Sequence, residues 1–159
     1  MNAALQRLRA EITFDREAFA RRIAELEALT MAPDRDGAAQ RAQAAVALHH
    51  AYGSLEGIMV RIARYLEGDV PQGADWHQAL LHSMCLEIEG VRPAIFTPGT
   101  VVVLRHLLGF RHFFRHAYAV ELDAEPLASL TRELVGVRPR ILAELAAFDR
   151  FLGKVAQED

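Results

Sequence analysis

Apolar residues recur every three or four positions along nearly the whole chain, and this spacing most constrains what it can fold into. Leu5, Leu8, Ile12, Phe19, Ile23 and Leu26 form one stripe within residues 2–30. Val46, Leu48, Tyr52, Leu55, Met59, Ile62 and Leu66 form a second that runs to about Glu67. A helix turns every 3.6 residues, so this spacing gathers the apolar side chains on one face. Strand-like alternation is missing apart from the short Val101-Val102-Val103 run. The chain reads as all-α.

Breakers divide the pattern. Ala32-Pro33-Asp34-Arg35-Asp36-Gly37 ends the first helix, and Gly68 stops the second. Asp75 is a natural N-cap and predicts a third helix through Glu89, with Trp76, Leu80, Met84 and Ile88 facing inward. Residues 90–96 form a connector containing Pro93. Thr97 followed by Pro98 then opens a fourth helix, which runs to about Tyr118. Asp123, with Pro126 soon after, opens a last helix to about Val155, which Pro139 is expected to kink or interrupt near Val137. Five helices with short connections predict an antiparallel helical bundle. Without an internal repeat or a linker, residues 1–159 read as a single domain of sufficient length for a real core.

A composition of 52% hydrophobic and 25% charged residues is that of an ordinary globular protein. No window approaches the roughly 18 to 20 apolar residues of a membrane span, so no membrane partner is expected. The first 16 residues are charged throughout and lack the apolar run of a signal peptide, so the expected location is cytoplasmic. Cys85 is the only cysteine and lies in a stretch that reads as core. A net charge of −3 does not mark a chain coated for nucleic acid. The distribution differs: between Glu89 and Glu121 no acid occurs, whereas Arg92, Arg105, Arg111, Arg115, His106, His112 and His116 all fall there. Either this is one basic region for a polyanion, or these cations pair with acids on other helices.

The chemistry-bearing stretch is Gly109-Phe110-Arg111-His112-Phe113-Phe114-Arg115-His116-Ala117-Tyr118. It resembles the HEPN signature of an arginine, a polar residue, three further residues and a histidine, extended in HepT proteins to Arg-x4-His-x-Tyr. Arg111, His112, His116 and Tyr118 stand at those positions. The wider run from Arg92-Pro93 through Leu122-Asp123 also looks like HepT-related sequences. The resemblance implies an RNA-cleaving toxin that works as a homodimer with a composite cleft. It also implies a minimal nucleotidyltransferase as the antitoxin, with Tyr118 as the target of AMP transfer. A bulky anion two residues from His116 would repel RNA phosphates and fill the cleft. A core or stacking tyrosine is the other reading of Tyr118.

The division of labour follows from RNA itself. The 2′-hydroxyl is a built-in nucleophile beside the scissile phosphate, so cleavage needs a base, an acid for the 5′-oxygen and positive charge on the phosphorane. His116, with an ordinary pKa near neutrality, suits the acid/base role. Arg111 stays cationic and grips phosphate oxygens through a planar fork. No metal and no cofactor is required. On a regular helix five residues separate Arg111 and His116 by about 140° around the axis, so one helix offers an incomplete site that two copies across a two-fold axis can complete. His112 can orient Arg111 or touch RNA, or can be a partly exposed helical histidine. Arg105 and Arg115 are supporting candidates for RNA contact.

Two other readings compete. His112 and His116 have the i, i+4 spacing of a zinc pair, with His49, His50 and His106 available to complete a shell. Against it, His-Glu-x-x-His and Glu-x-x-His are both absent. The chain can also be a non-catalytic helical partner or substrate-binding subunit of a nucleotidyltransferase. Phe110, Phe113 and Phe114 read as core rather than as a base-stacking platform, and Trp76, His77, His82 and Cys85 as packing or surface.

Overall fold

A computed structural model describes residues 2–116 and 122–158, with Arg115 and His116 described through their backbone alone. Among the described residues there are five α-helices: α1 (Ala3–Met31), α2 (Ala38–Ile62), α3 (Trp76–Ser83), α4 (Pro98–His116) and α5 (Ala124–Glu158). α1 packs along α2 and α5, α2 also meets α3, α4 and α5, and α4 rests on α3 and α5. The all-helical bundle is the fold that the periodicity predicts. Tyr118, the expected end of the fourth helix, lies outside the described residues.

The helix ends follow local chemistry. The Asn2 side chain accepts from the backbone N–H groups of Ala4 and Leu5 and so caps α1. α2 passes into a single π-helical turn, Ala63–Glu67, which ends at Gly68 with φ +78°, a conformation in which a Cβ would be strained. The α4 N-terminus is held from outside as well, because the backbone N–H of Thr97 donates to Glu144 on α5 at 3.0 Å.

Both long apolar stripes are buried where expected, from Leu5 to Leu26 on α1 and from Leu48 to Ile62 on α2. Each buried Leu or Ile is worth about 1.5–3 kcal/mol of apolar transfer, and together they form the cluster into which Leu104, Leu107, Leu108 and α5 pack. Val46 departs from its expected place and is 43% exposed, while Ala45 and Ala47 on either side are buried. Phe113 departs likewise at 49% exposure, whereas Phe110 and Phe114 pack against the core.

Two helix boundaries differ from the pattern-based expectation. α3 stops at Ser83 instead of Glu89. The Ser83 and Leu86 carbonyls accept from the Arg92 guanidinium, and the Met84 carbonyl accepts from the backbone N–H groups of Ile95 and Phe96. The acceptors that would continue the helix are therefore taken by the returning chain, which turns through Gly90 at φ +74°. Asp75 occupies the cap position of α3, but its side chain makes no capping bond. α5, conversely, is not interrupted: it runs through Pro139 to Glu158. Among the described residues no helix is long and apolar enough to cross a membrane.

Candidate active site

α2 carries one acid on its buried face. Tyr52 and Glu56, four residues apart, share that face with Leu55 and Met59, and Glu56 is 7% exposed. A carboxylate among apolar neighbours must be paired, and two other helices supply the partners. Arg111 of α4 brings Nη1 to 3.3 Å from Glu56 Oε1. His77 of α3 brings Nδ1 to 2.6 Å from Glu56 Oε2. The Arg111 Cζ also lies 5.6 Å from the centre of the Tyr52 ring, a cation–π distance.

The cluster is closed by rings. Trp76 stacks on His77 with centroids 3.7 Å apart, and His112 meets the edge of His77 at 5.3 Å. The site therefore has Tyr52 and Glu56 from α2, Trp76 and His77 from α3, and Arg111 and His112 from α4. Burial, joined by the Glu56 carboxylate, pushes the Tyr52 phenol far above its ordinary range, and Arg111 opposes the shift. Tyr52 is neutral at any physiological pH.

Arg111 and Glu56 are charge-paired without an aligned fork. The side chains are 14% and 10% exposed, yet Arg111 Nε and Nη1 are buried and make no hydrogen bond among the described residues. Glu56 supplies countercharge to the guanidinium and leaves these donors unused.

Arg111 and His112, both singled out by sequence, come together here. The side chains of His116 and Arg115, and the whole of Tyr118, lie outside the described residues. Arg105 is exposed and has no ion pair among the described residues. The supposed basic region is largely divided among acids on other elements. Arg92 is buried with its guanidinium on Glu67 at 2.8 Å, Arg111 faces Glu56, and His106 meets Glu133 at 2.9 Å. Pairing with acids elsewhere is thus the outcome for these three. Among the described residues no three His, Cys, Asp or Glu groups are arranged to hold a metal ion.

Glu56, His77 and Tyr52 were not among the expected site residues. His77 had read as packing or surface; it does pack on Trp76 and in addition bonds Glu56. The available signal was Glu56 itself, an acid on an apolar stripe that demands a buried partner. A separate groove of about 580 Å³ runs beside α4, lined by His106, Phe110, Phe113, Leu122, Pro126 and Glu133 among others, and Arg111 does not line it.

A family model described as HepT-like protein matches residues 43–152, well over half of the chain. No curated protein and no solved structure matches it. The matched span takes in α3 and α4 whole and most of α2 and α5, and so includes every residue of the cluster.

Proposed function

Because the chain belongs to the HepT-like proteins, we propose that it is a HEPN-type toxin: a metal-independent endoribonuclease in which Arg111 clamps the scissile phosphate and His116 moves the proton. The supporting observation is the state of Arg111. Its charge is held in a fixed place by Glu56, and it stands on the same helix as His116, five residues before it, within the span that matches the family.

The reaction needs no group from outside. His116 takes the proton of the RNA 2′-hydroxyl as that oxygen attacks phosphorus. The bond from phosphorus to the 5′-oxygen then breaks, and an imidazolium returns a proton to the leaving oxygen. Products are a 2′,3′-cyclic phosphate and a 5′-hydroxyl end. Arg111 stabilises the charge that grows on the non-bridging oxygens. With the two residues about 140° apart on a regular helix, a homodimer completes the site. Arg105, Arg115 and His112 extend the RNA contact. A minimal nucleotidyltransferase is the partner antitoxin, acting by AMP transfer to Tyr118 or by covering the cleft, and the pair works in the cytoplasm.

Expression of wild type beside Arg111→Ala and His116→Ala, scored for growth arrest and RNA decay, tests the reading. Both substitutions relieve growth arrest and slow RNA decay by orders of magnitude. Unchanged toxicity in His116→Ala refutes the catalytic assignment.

One observation favours a second reading. An arginine that is 14% exposed and neutralised by a buried acid also suits a structural role, as in a non-catalytic helical subunit of a nucleotidyltransferase. In that case Arg111→Ala lowers stability, and the purified wild type leaves RNA intact.

A further inference from the structure

We propose that Glu56 is a positioning residue of this site, its single carboxylate shared between Arg111 and His77 so that neither moves without the other. The inference rests on the ribonuclease reading above. Its two oxygens are used separately: Oε1 faces Arg111 Nη1 at 3.3 Å and Oε2 faces His77 Nδ1 at 2.6 Å. Each partner has a second restraint. The Tyr52 ring lies beneath the guanidinium, and Trp76 stacks on the imidazole while His112 meets its edge.

A buried ion pair contributes little net folding energy, because desolvation offsets most of the attraction. A carboxylate bridging a guanidinium and an imidazole does something different: it fixes two side chains from α3 and α4 relative to α2. Arg111 is thereby kept in one place between Glu56 and the Tyr52 ring. When Nδ1 carries the His77 proton toward Glu56, Nε2 on the far side of the ring is the basic nitrogen. That arrangement gives the site a second oriented imidazole beside Arg111. Because Glu56 is buried and both oxygens are engaged, its charge is neutralised before a phosphate arrives.

The test uses purified full-length wild type, Glu56→Gln, Arg111→Ala and the double variant on a fluorescent single-stranded RNA. Glu56→Gln keeps its shape and loses the charge. Its kcat falls on the order of a hundredfold, the cost typical of a catalytic group misplaced by about 1 Å, while KM changes much less. In the double variant, Glu56→Gln adds far less to the loss caused by Arg111→Ala than it costs alone, because the carboxylate acts largely through that guanidinium and only the remainder reports its hold on His77. A kcat at the wild-type level in folded Glu56→Gln, or fully multiplicative losses in the double variant, overturns the proposal. A second readout is independent of activity. Nitrogen-15 spectra show the two Arg111 Nη groups as separate resonances in wild type, because the ion pair slows rotation about the Cζ–Nε bond, and as one averaged resonance in Glu56→Gln; an unchanged pattern overturns the positioning role. If wild type cleaves no RNA, the ribonuclease reading falls on its own, and the Arg111 resonance still decides whether Glu56 holds the guanidinium. Should Glu56→Gln fail to fold, Glu56→Asp, which keeps the charge and withdraws it by one methylene, is judged by the same criteria.

Discussion

The Glu56 carboxylate of α2 meets the Arg111 guanidinium of α4 at 3.3 Å, with side chains 10% and 14% exposed. Removing one partner strands the other. Glu56→Ala leaves a cation over the Tyr52 ring without its countercharge and costs about 3 kcal/mol. Replacing both, Glu56→Ala with Arg111→Met, costs less than the single change because no buried charge is left behind. Urea denaturation of the three proteins measures the difference. Equal losses in single and double variants contradict a buried, coupled pair.

Arg92 fixes the segment between α3 and α4. Its guanidinium donates to Glu67 and to the backbone carbonyls of Ser83, Leu86 and Pro93, with no exposed side-chain surface. A lysine has no fork to reach these acceptors together. Arg92→Lys is therefore expected to lose about 2–3 kcal/mol through orphaned buried acceptors. Because Arg92 is structural, the RNA affinity that the proposed function requires should keep its wild-type salt dependence in the folded variant. Denaturation and a salt titration of RNA affinity check the two halves separately.

Local chemistry made the fold legible and left the site half-read. The stripes of α1 and α2, the Thr97-Pro98 start of α4 and the Gly68 stop depend on residues a few positions apart, so pattern alone predicts them. The early end of α3 does not, because Arg92 and the Ile95 and Phe96 amides take its carbonyls after the chain has folded back. Pro139 misleads for a related reason: packing of Val137, Ile141 and Leu145 against the core carries α5 across it. Arg111 and His112 were visible through their motif. Glu56 and His77 were not, since their partnership joins positions 21 residues apart in sequence and becomes a site only when α4 brings Arg111 to it.

Phe113 and Leu108 give a direct check of how α4 is rotated. Phe113 is 49% exposed, and Leu108 is fully buried. Phe113→Ala is expected to change stability by less than about 0.5 kcal/mol, the range of surface substitutions. Leu108→Ala opens a cavity and costs about 2–5 kcal/mol. Thermal melts of both variants suffice. A large loss in Phe113→Ala would mean that this face of α4 is covered.

Acid sensitivity should be carried in part by the clasp between the first and last helices. Arg9 donates to both oxygens of Asp149, from Nε at 2.9 Å and Nη2 at 3.0 Å, and this hydrogen bonding holds the Asp149 carboxyl below its ordinary value. A depressed folded-state pKa means that the unfolded chain binds the proton first. The stabilisation is complete above the unfolded value of about 3.9 and disappears as pH falls through the lower folded value. Asp149→Asn should therefore lower Tm at pH 7 by about 2–4 °C, the effect of roughly 1 kcal/mol in a chain of this size. At pH 2 to 3 the gap to wild type should narrow. Asp15 behaves with the opposite sign: burial raises its carboxyl pKa despite the nearby Arg61 guanidinium. Its charged form is disfavoured by folding, so wild type should gain stability relative to the neutral isostere Asp15→Asn as pH falls, the reverse of the Asp149 trend. Melts of the three proteins across pH 2 to 7 separate the two carboxylates, and a gap between Asp149→Asn and wild type that does not change with pH refutes the linkage.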